Sequence, residues 1–416
     1  MKICIISAFY YPYDTIAGGA FVYTKTLADA LKKEGHDVFI ITTGRYDGLK
    51  SLKPHTRKAD GIEVYYFYPL TPSIPYNKKK SLMIFNVVLN FWNPHTYLEV
   101  KEILKKEKPD VVNIHEVPYL SLSVYSAVRL LGIPIVSTLH SILLLWPLNN
   151  IPHLDKIAGV RYPFISYKLY EKISEVYRKM NKIIIGDTEI VISPSAALLK
   201  KYEEYEFFKR PKKIVSPYII DIHKFKIEKE EKMKKETFDI IFTGRLIKIK
   251  GVHTLIKAFR KIEGKFIKLH IFGSGQDEEY FKKLAKDDKR IIFYGSIPND
   301  ELQRFYKIAD ASVVPSEYFE NFSVSIMESF RAGVPVIGSN IGGTPELIQN
   351  DYNGFLFEPG NVEQLKNILE KAINNKEKLN EMGENAFEYV KELGSEKTIS
   401  KLEEVYEEAI KLKQRK

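Results

Sequence analysis

The fold class predicted is an α/β protein of two successive Rossmann-like units, and three observations predict it. Short apolar runs alternate with helical segments along the 416-residue chain, as in parallel sheets covered by helices. The alternation restarts after a polar, mixed-charge stretch, Ile222–Thr237. At roughly 150 residues per domain, the length fits two or three domains. We therefore expect a first domain over 1–221, a linker over 222–237 and a second domain over 238–394. A final helix over 395–416 has length to spare and could pack back on the first domain.

In the first half, Lys2–Ser7 reads as a strand and Phe21–Lys33 as an amphipathic helix closed by Gly35. Strands follow at Val38–Thr43, Ile62–Phe67, Val111–His115 and Ile135–Leu139, with a helix near Leu120–Leu131. Val191–Ser193 and Lys213–Ser216 close the unit. The second half offers five strands: Phe238–Thr243, Lys268–Phe272, Ile291–Tyr294, Ala311–Val314 and Pro335–Gly338. Ligands of open α/β sheets bind beyond the carboxyl ends of the strands, so two facing sheets would leave an interdomain cleft.

With 44% apolar and 28% charged residues, the chain can offset the entropy of ordering, which excludes intrinsic disorder. The single cysteine, Cys4, excludes a disulfide framework and fits a reducing compartment. The longest apolar runs fall short of the ~20 residues that span a bilayer, and Met1–Ser7 carries no cleavage signal. A cytoplasmic protein is expected. The net charge is +10, yet up to Asp221 the basic surplus is nine and afterwards only one. Such asymmetry suits an anionic partner for the first half. No nucleic-acid-binding module is present, so nucleic acid is not expected. The nine histidines form no HExxH or close ligand pair, and Gly273-x-Gly275 lacks a third glycine. Neither a metal nor a cofactor is expected.

The densest chemistry lies between Ser316 and Glu346. Glu320 and Glu328 are separated by seven residues, with a helix opening at Ser323. Carboxylates are acceptor-only groups suited to vicinal hydroxyls, and a helix start favours phosphate. Solvated or capping glutamates are the plain alternative. Upstream, Gly244-Arg245 and Lys250-Gly251 follow a strand and precede a helix; Arg245 can fork onto phosphate oxygens and Lys250 adds a point charge. Either alone would be a surface charge by default. His140 and His115 end strands. On Thr344-Pro345-Glu346, a helix start with proline in its first turn competes with a ligand role.

The order of these pieces resembles the retaining nucleotide-sugar glycosyltransferases of GT-B fold in group 1 (family 4). The matching pieces are Gly18-Gly19, Ser137-Thr138-Leu139-His140, Ile192-Ser193-Pro194-Ser195, Gly244-Arg245 with Lys250-Gly251, and Phe272-Gly273-Ser274-Gly275. Glu320-x7-Glu328, Ala332-Gly333-Val334-Pro335 and Gly342-Gly343-Thr344-Pro345-Glu346 complete the series. The resemblance implies that Arg245 and Lys250 hold the donor diphosphate, Glu328 the ribose and Glu320 the donor sugar. Main chain at Phe322 and Ser323 would meet phosphate or sugar, Gly18 and Gly19 would admit the diphosphate from the first domain, and His140 would lie near the transferred sugar. Backbone around Gly295–Ile297, including Ile297, would lie near the base. One departure is Pro217-Tyr218-Ile219-Ile220-Asp221, where the family often has Pro-Asn-Gly-Val-Asp.

The activity implied is transfer of a hexose from a nucleoside-diphosphate sugar to a glycan or lipid-linked acceptor, with retention. Arg245 and Lys250 would replace the divalent metal held elsewhere by Asp-x-Asp, a motif missing from this sequence. A nucleotide-sugar epimerase of the same fold and an inert nucleotide-sugar-binding subunit are the alternatives. Two stretches of the basic half, Ile74–Trp92 and Ile142–Lys182, set cations beside apolar and aromatic groups. They suit either peripheral association with an anionic membrane or a helical subdomain with its apolar face in the core.

Overall fold

The computed structural model describes residues 1–8, 10, 19–45, 47–70, 91–117, 120–146, 167–219, 236–393 and 395–415. The chain divides into two compact units. The first contains strands β1 (Lys2–Ile6), β2 (Asp37–Thr43), β3 (His55–Ala59), β4 (Ile62–Phe67), β5 (Val111–Ile114), β6 (Ile135–Thr138), β7 (Ile190–Ser193) and β8 (Lys212–Val215). Its helices are α1 (Gly19–Lys33), α2 (Pro94–Glu107), α3 (Ser123–Leu130), α4 (Tyr167–Ile185) and α5 (Ala196–Glu204). The sheet order is β3-β4-β2-β1-β5-β6-β7-β8. Its pairings are parallel apart from β3, which runs antiparallel along β4.

The second unit contains β9 (Phe238–Thr243), β10 (Ile267–Phe272), β11 (Ile291–Gly295), β12 (Ala311–Val314), β13 (Val336–Ser339) and β14 (Gly354–Phe357). Between them run α6 (Val252–Arg260), α7 (Glu278–Ala285), α8 (Asn299–Ile308), α9 (Val324–Arg331) and α10 (Thr344–Leu347), followed by α11 (Val362–Asn374) and α12 (Lys376–Glu392). The sheet is parallel, in the order β11-β10-β9-β12-β13-β14. This is the doubly wound order 3-2-1-4-5-6, whose switch point lies between the first and fourth strands. In the first unit the same reversal falls between β1 and β5.

Central strands explain the sequence pattern. Ile3, Cys4, Ile5 and Ile6 of β1 are completely buried, as expected of a strand covered on both faces. Two strands escape that signature. β3 (HTRKA) is an almost wholly exposed edge with no apolar alternation, and β14 (GFLF) is only four residues long and opens on glycine. The Ile192-Ser193-Pro194-Ser195 motif is a helix start: the Ser195 hydroxyl caps α5 by accepting from Leu198 N at 3.2 Å.

The last helix, α13 (Ser395–Gln414), belongs to the first unit and packs on α1, β5 and β6. Buried Leu402, Tyr406 and Ala409 line its inner face. Asn113 Nδ2 of β5 donates to the Tyr406 hydroxyl at 2.8 Å, while Thr138 of β6 donates to Asn113 Oδ1 at 2.8 Å. Three buried polar side chains thus satisfy one another. His36–Glu403 at 2.6 Å and Lys212–Glu408 at 2.6 Å fasten the rim.

The linker 222–237 lies largely outside the described residues, as do Gly18, most of Ile74–Trp92 and the middle of Ile142–Lys182. What is described of the latter includes α4. Ser174, Arg178 and Asn181 turn inward, the last two onto the carbonyls of Leu145 and Leu144. Ile173, Val176, Met180 and Ile183 face outward at helical spacing, Ile183 with 72% of its surface exposed.

Candidate functional site

In the second unit the polar loops gather at the carboxyl ends of β9 and β12, on the switch point. β9 ends at Thr243, Gly244 N donates to Phe272 O at 3.1 Å, and Leu246 N donates to Ser274 O at 2.9 Å. Exposed Arg245 leaves the sheet here. The chain then makes a 3-10 turn, Lys248–Lys250, and enters α6 through Gly251 at φ 70°. A Cβ on Gly251 would fall 1.7 Å from Pro315 O, so only glycine lets this loop meet the one after β12.

Lys250 and Glu320 form an ion pair across those two loops, and Ser316 Oγ donates to the same Glu320 oxygen at 2.5 Å. The Glu320 side chain is 13% exposed. Burial raises its carboxyl, but the Lys250 charge and hydrogen bond, the Ser316 hydroxyl and the nearby Arg245 charge outweigh that, holding it below the usual carboxylate range. Gly342, at φ 60°, touches the Glu320 backbone, and Gly343 N donates to Glu320 O at 2.7 Å. Thr344-Pro345-Glu346 opens α10, with proline in the first turn. The glycine pair therefore seats Glu320, and its Thr-Pro-Glu tail starts a helix.

Glu328 lies within α9, behind the helix start formed by Ser323. Burial raises its carboxyl, opposed by Arg331 and by Tyr306. The Tyr306 hydroxyl lies 2.9 Å from Thr243 Oγ1 at the end of β9 and 3.5 Å from Glu328 Oε2. Phe322 and Ser323 are buried beside the first turn of α9, whose N–H groups lack intrahelical partners by geometry. Ile297 is half-buried against the apolar cluster that includes Phe272 and Tyr306, and Ser274 and Ser296 pair their hydroxyls at 2.9 Å. The structure thus joins Lys250 to Glu320, sets Arg245 near them, and places Glu328 on the same switch point.

The first unit holds another polar cluster, at the carboxyl ends of β5 and β6. His140 Nδ1 lies 2.6 Å from the Tyr218 hydroxyl, and its Nε2 2.9 Å from His115 Nδ1. Thr24 Oγ1 of α1 is 3.2 Å from that His115 nitrogen. Tyr23 stacks on Tyr218 with centroids 4.4 Å apart. Burial lowers the imidazole of His140 to about 3 and, with His140 beside it, drives His115 well down. Both ring nitrogens of His140 thus have partners within the unit, at the carboxyl end of β6. Glu116, next along from His115, is pushed up to about 7 by burial against hydrogen bonds from Ser141 and the main chain of His140 and Ser141. Gly19 begins α1; Gly18 lies outside the described residues.

Ser316 marks only the start of a stretch in the sequence, and Glu317, Tyr306 and Glu116 have no periodicity or spacing there that singles them out. Sequence reasoning noticed Tyr218 only as a departure, whereas the structure sets its hydroxyl against His140.

The glycosyltransferase family 4 profile matches residues 17–223 and the glycosyl transferases group 1 profile residues 223–389. The chain is a group 1 glycosyltransferase. It is 25% identical over 412 residues to the N-acetyl-alpha-D-glucosaminyl L-malate synthase of Bacillus anthracis, covering 96% of each chain. Among solved structures, the sucrose-phosphate synthase of Thermosynechococcus elongatus superposes with a TM-score of 0.73 at 19% identity, covering 98% of both chains. Anabaena HepE, solved in complex with UDP-glucose, gives 0.70 at 18% identity over 97% of this glycosyltransferase and 99% of that chain. The fold is GT-B. Among the described residues no helix is long and apolar enough to cross a membrane.

Proposed function

We propose that this group 1 glycosyltransferase moves a hexose from a nucleoside-diphosphate sugar to a glycan or lipid-linked acceptor, retaining anomeric configuration and needing no divalent metal. The observation that carries the reading is the Lys250–Glu320 pair on the switch point, with Arg245 beside it. Cations fixed before the reaction stabilise charge that develops on a departing diphosphate, and no reorganisation is needed at that moment. Glu320, kept ionised by Lys250, accepts hydrogen bonds from donor-sugar hydroxyls; Glu328 does so from the ribose, and the start of α9 receives phosphate. Gly18 and Gly19 serve the diphosphate from the first unit, and main chain near Ile297 serves the base. Retention follows if the departing phosphate oxygen takes the acceptor proton on the face where the acceptor attacks. HepE was solved with UDP-glucose, which favours a donor of this class.

The acceptor side is anionic or membrane-bound in this reading. The outer face of α4 sets Ile173, Val176, Met180 and Ile183 beside exposed Lys168, Lys172 and Lys179. Lysines flanking an exposed apolar stripe complement an anionic lipid surface. Exposed Glu175 pairs with Lys179 at 2.8 Å, so Lys168 and Lys172 carry the surplus charge toward such a surface.

The direct experiment is a panel of UDP-, GDP- and ADP-hexoses, with and without candidate acceptors, scored for nucleoside diphosphate release. Proton NMR then assigns the anomeric configuration of the product. Release with a retained anomer, unaffected by EDTA, is expected. An epimerised donor with no transfer would instead point to the epimerase.

A further inference from the structure

We infer that Glu317 is a positioning residue for sugar transfer: it ties the loop carrying Glu320 to the helix behind Lys250, and so sets the geometry of the Lys250–Glu320 pair. The inference rests on the donor-site reading of that pair. The two loops meet in several places, and Glu317 contributes three of the bonds. Its main-chain N donates to Ile249 O at 2.9 Å, one residue before Lys250. Its carboxylate accepts from Thr254 Oγ1 at 2.5 Å and lies 3.1 Å from His253 Nε2, both in the first turn of α6.

The side chain of Glu317 is 11% exposed and that of His253 16%. His253 Nδ1 is buried and has no partner among the described residues. The Nε2–H tautomer, donating to Glu317, is therefore the one that leaves no buried N–H unpaired. Burial raises the Glu317 carboxyl, but the His253 and Thr254 hydrogen bonds outweigh it and keep the group ionised. On the far side of each loop stand Glu320 and Lys250, three residues after Glu317 and three before His253. A rigid brace here fixes how far apart the two functional side chains stand. Misplacing such groups by a fraction of an ångström costs rate even where binding survives.

Thr254 and His253 both meet Oε1 of Glu317, so Glu317→Gln can keep both bonds and Glu317→Leu cannot. The test compares kcat and donor KM for Glu317→Leu, Glu317→Gln, Glu320→Gln and the double variant Glu317→Leu with Glu320→Gln, using whichever sugar nucleotide turns over. Glu317→Leu should lower kcat about tenfold while shifting donor KM less than about threefold, and Glu317→Gln should stay near wild type. In the double variant the loss should match that of Glu320→Gln alone, because both act through one pair. Losses that multiply, or wild-type kcat in Glu317→Leu, would overturn the inference. As a second handle, His253→Gln retains an N–H donor and should stay near wild type, whereas His253→Leu should behave like Glu317→Leu; equal effects would also overturn it. If Glu320→Gln itself leaves turnover intact, the donor-site reading fails, an outcome distinct from additive losses.

Discussion

At the scale of single residues, the same physical effect separates the two clusters. Burial raises a carboxyl and lowers an imidazole. At Glu320 a lysine reverses that tendency, whereas at His140 and His115 nothing does. His140 should therefore stay neutral throughout the physiological range. The unfolded chain takes up a proton near the ordinary value of 6.5, while the folded chain resists it until about 3. The unfolded state binds more protons in that window, so the contribution of this group falls as pH drops below about 6.5. Between pH 7.5 and 5 the wild type should lose about 2 kcal/mol more stability than His140→Gln in urea titrations. Imidazole NMR should show no titration above pH 5; a midpoint near 6.5 would refute the buried, neutral assignment.

Elements carry these residues, and their legibility varied for physical reasons. Strands β1, β9 and β12 were readable because continuous apolar runs are what burial on both faces requires. β3 pairs through its backbone at an exposed edge, so its side chains record nothing of the pairing. Arg245, Lys250, Glu320 and Glu328, the residues of the proposed donor site, stand out in the sequence by the order and spacing of motifs. Glu317, Tyr306 and Tyr218 do not, because each makes its contacts with segments distant in sequence. The helix α4 makes its own prediction. Wild-type protein should bind vesicles containing anionic lipid, bind neutral vesicles poorly, and lose binding as salt rises. Val176→Glu with Met180→Glu should abolish binding while leaving turnover of a soluble acceptor intact. Equal binding to neutral and anionic vesicles would contradict the electrostatic part.

For the molecule as a whole, the charge asymmetry met first in the sequence acquires an address. The nearly balanced second half carries the motifs of the proposed donor site, with Lys250 already paired to Glu320 and Arg245 exposed beside them. The basic surplus belongs to the unit with α4 and the His115–His140–Tyr218 cluster. Each unit thus presents chemistry at the carboxyl ends of its strands, which the doubly wound order alone dictates. The central claim is that Arg245 and Lys250 hold the diphosphate of a nucleotide-sugar donor. Calorimetric titration of UDP, GDP and ADP into wild type, Lys250→Met and Arg245→Met tests it most directly. At least one diphosphate should bind the wild type, and each substitution should weaken it between about tenfold and a hundredfold, the worth of a charge-assisted hydrogen bond. Binding of equal strength in all three proteins, or binding of none of the diphosphates to the wild type, would contradict the account.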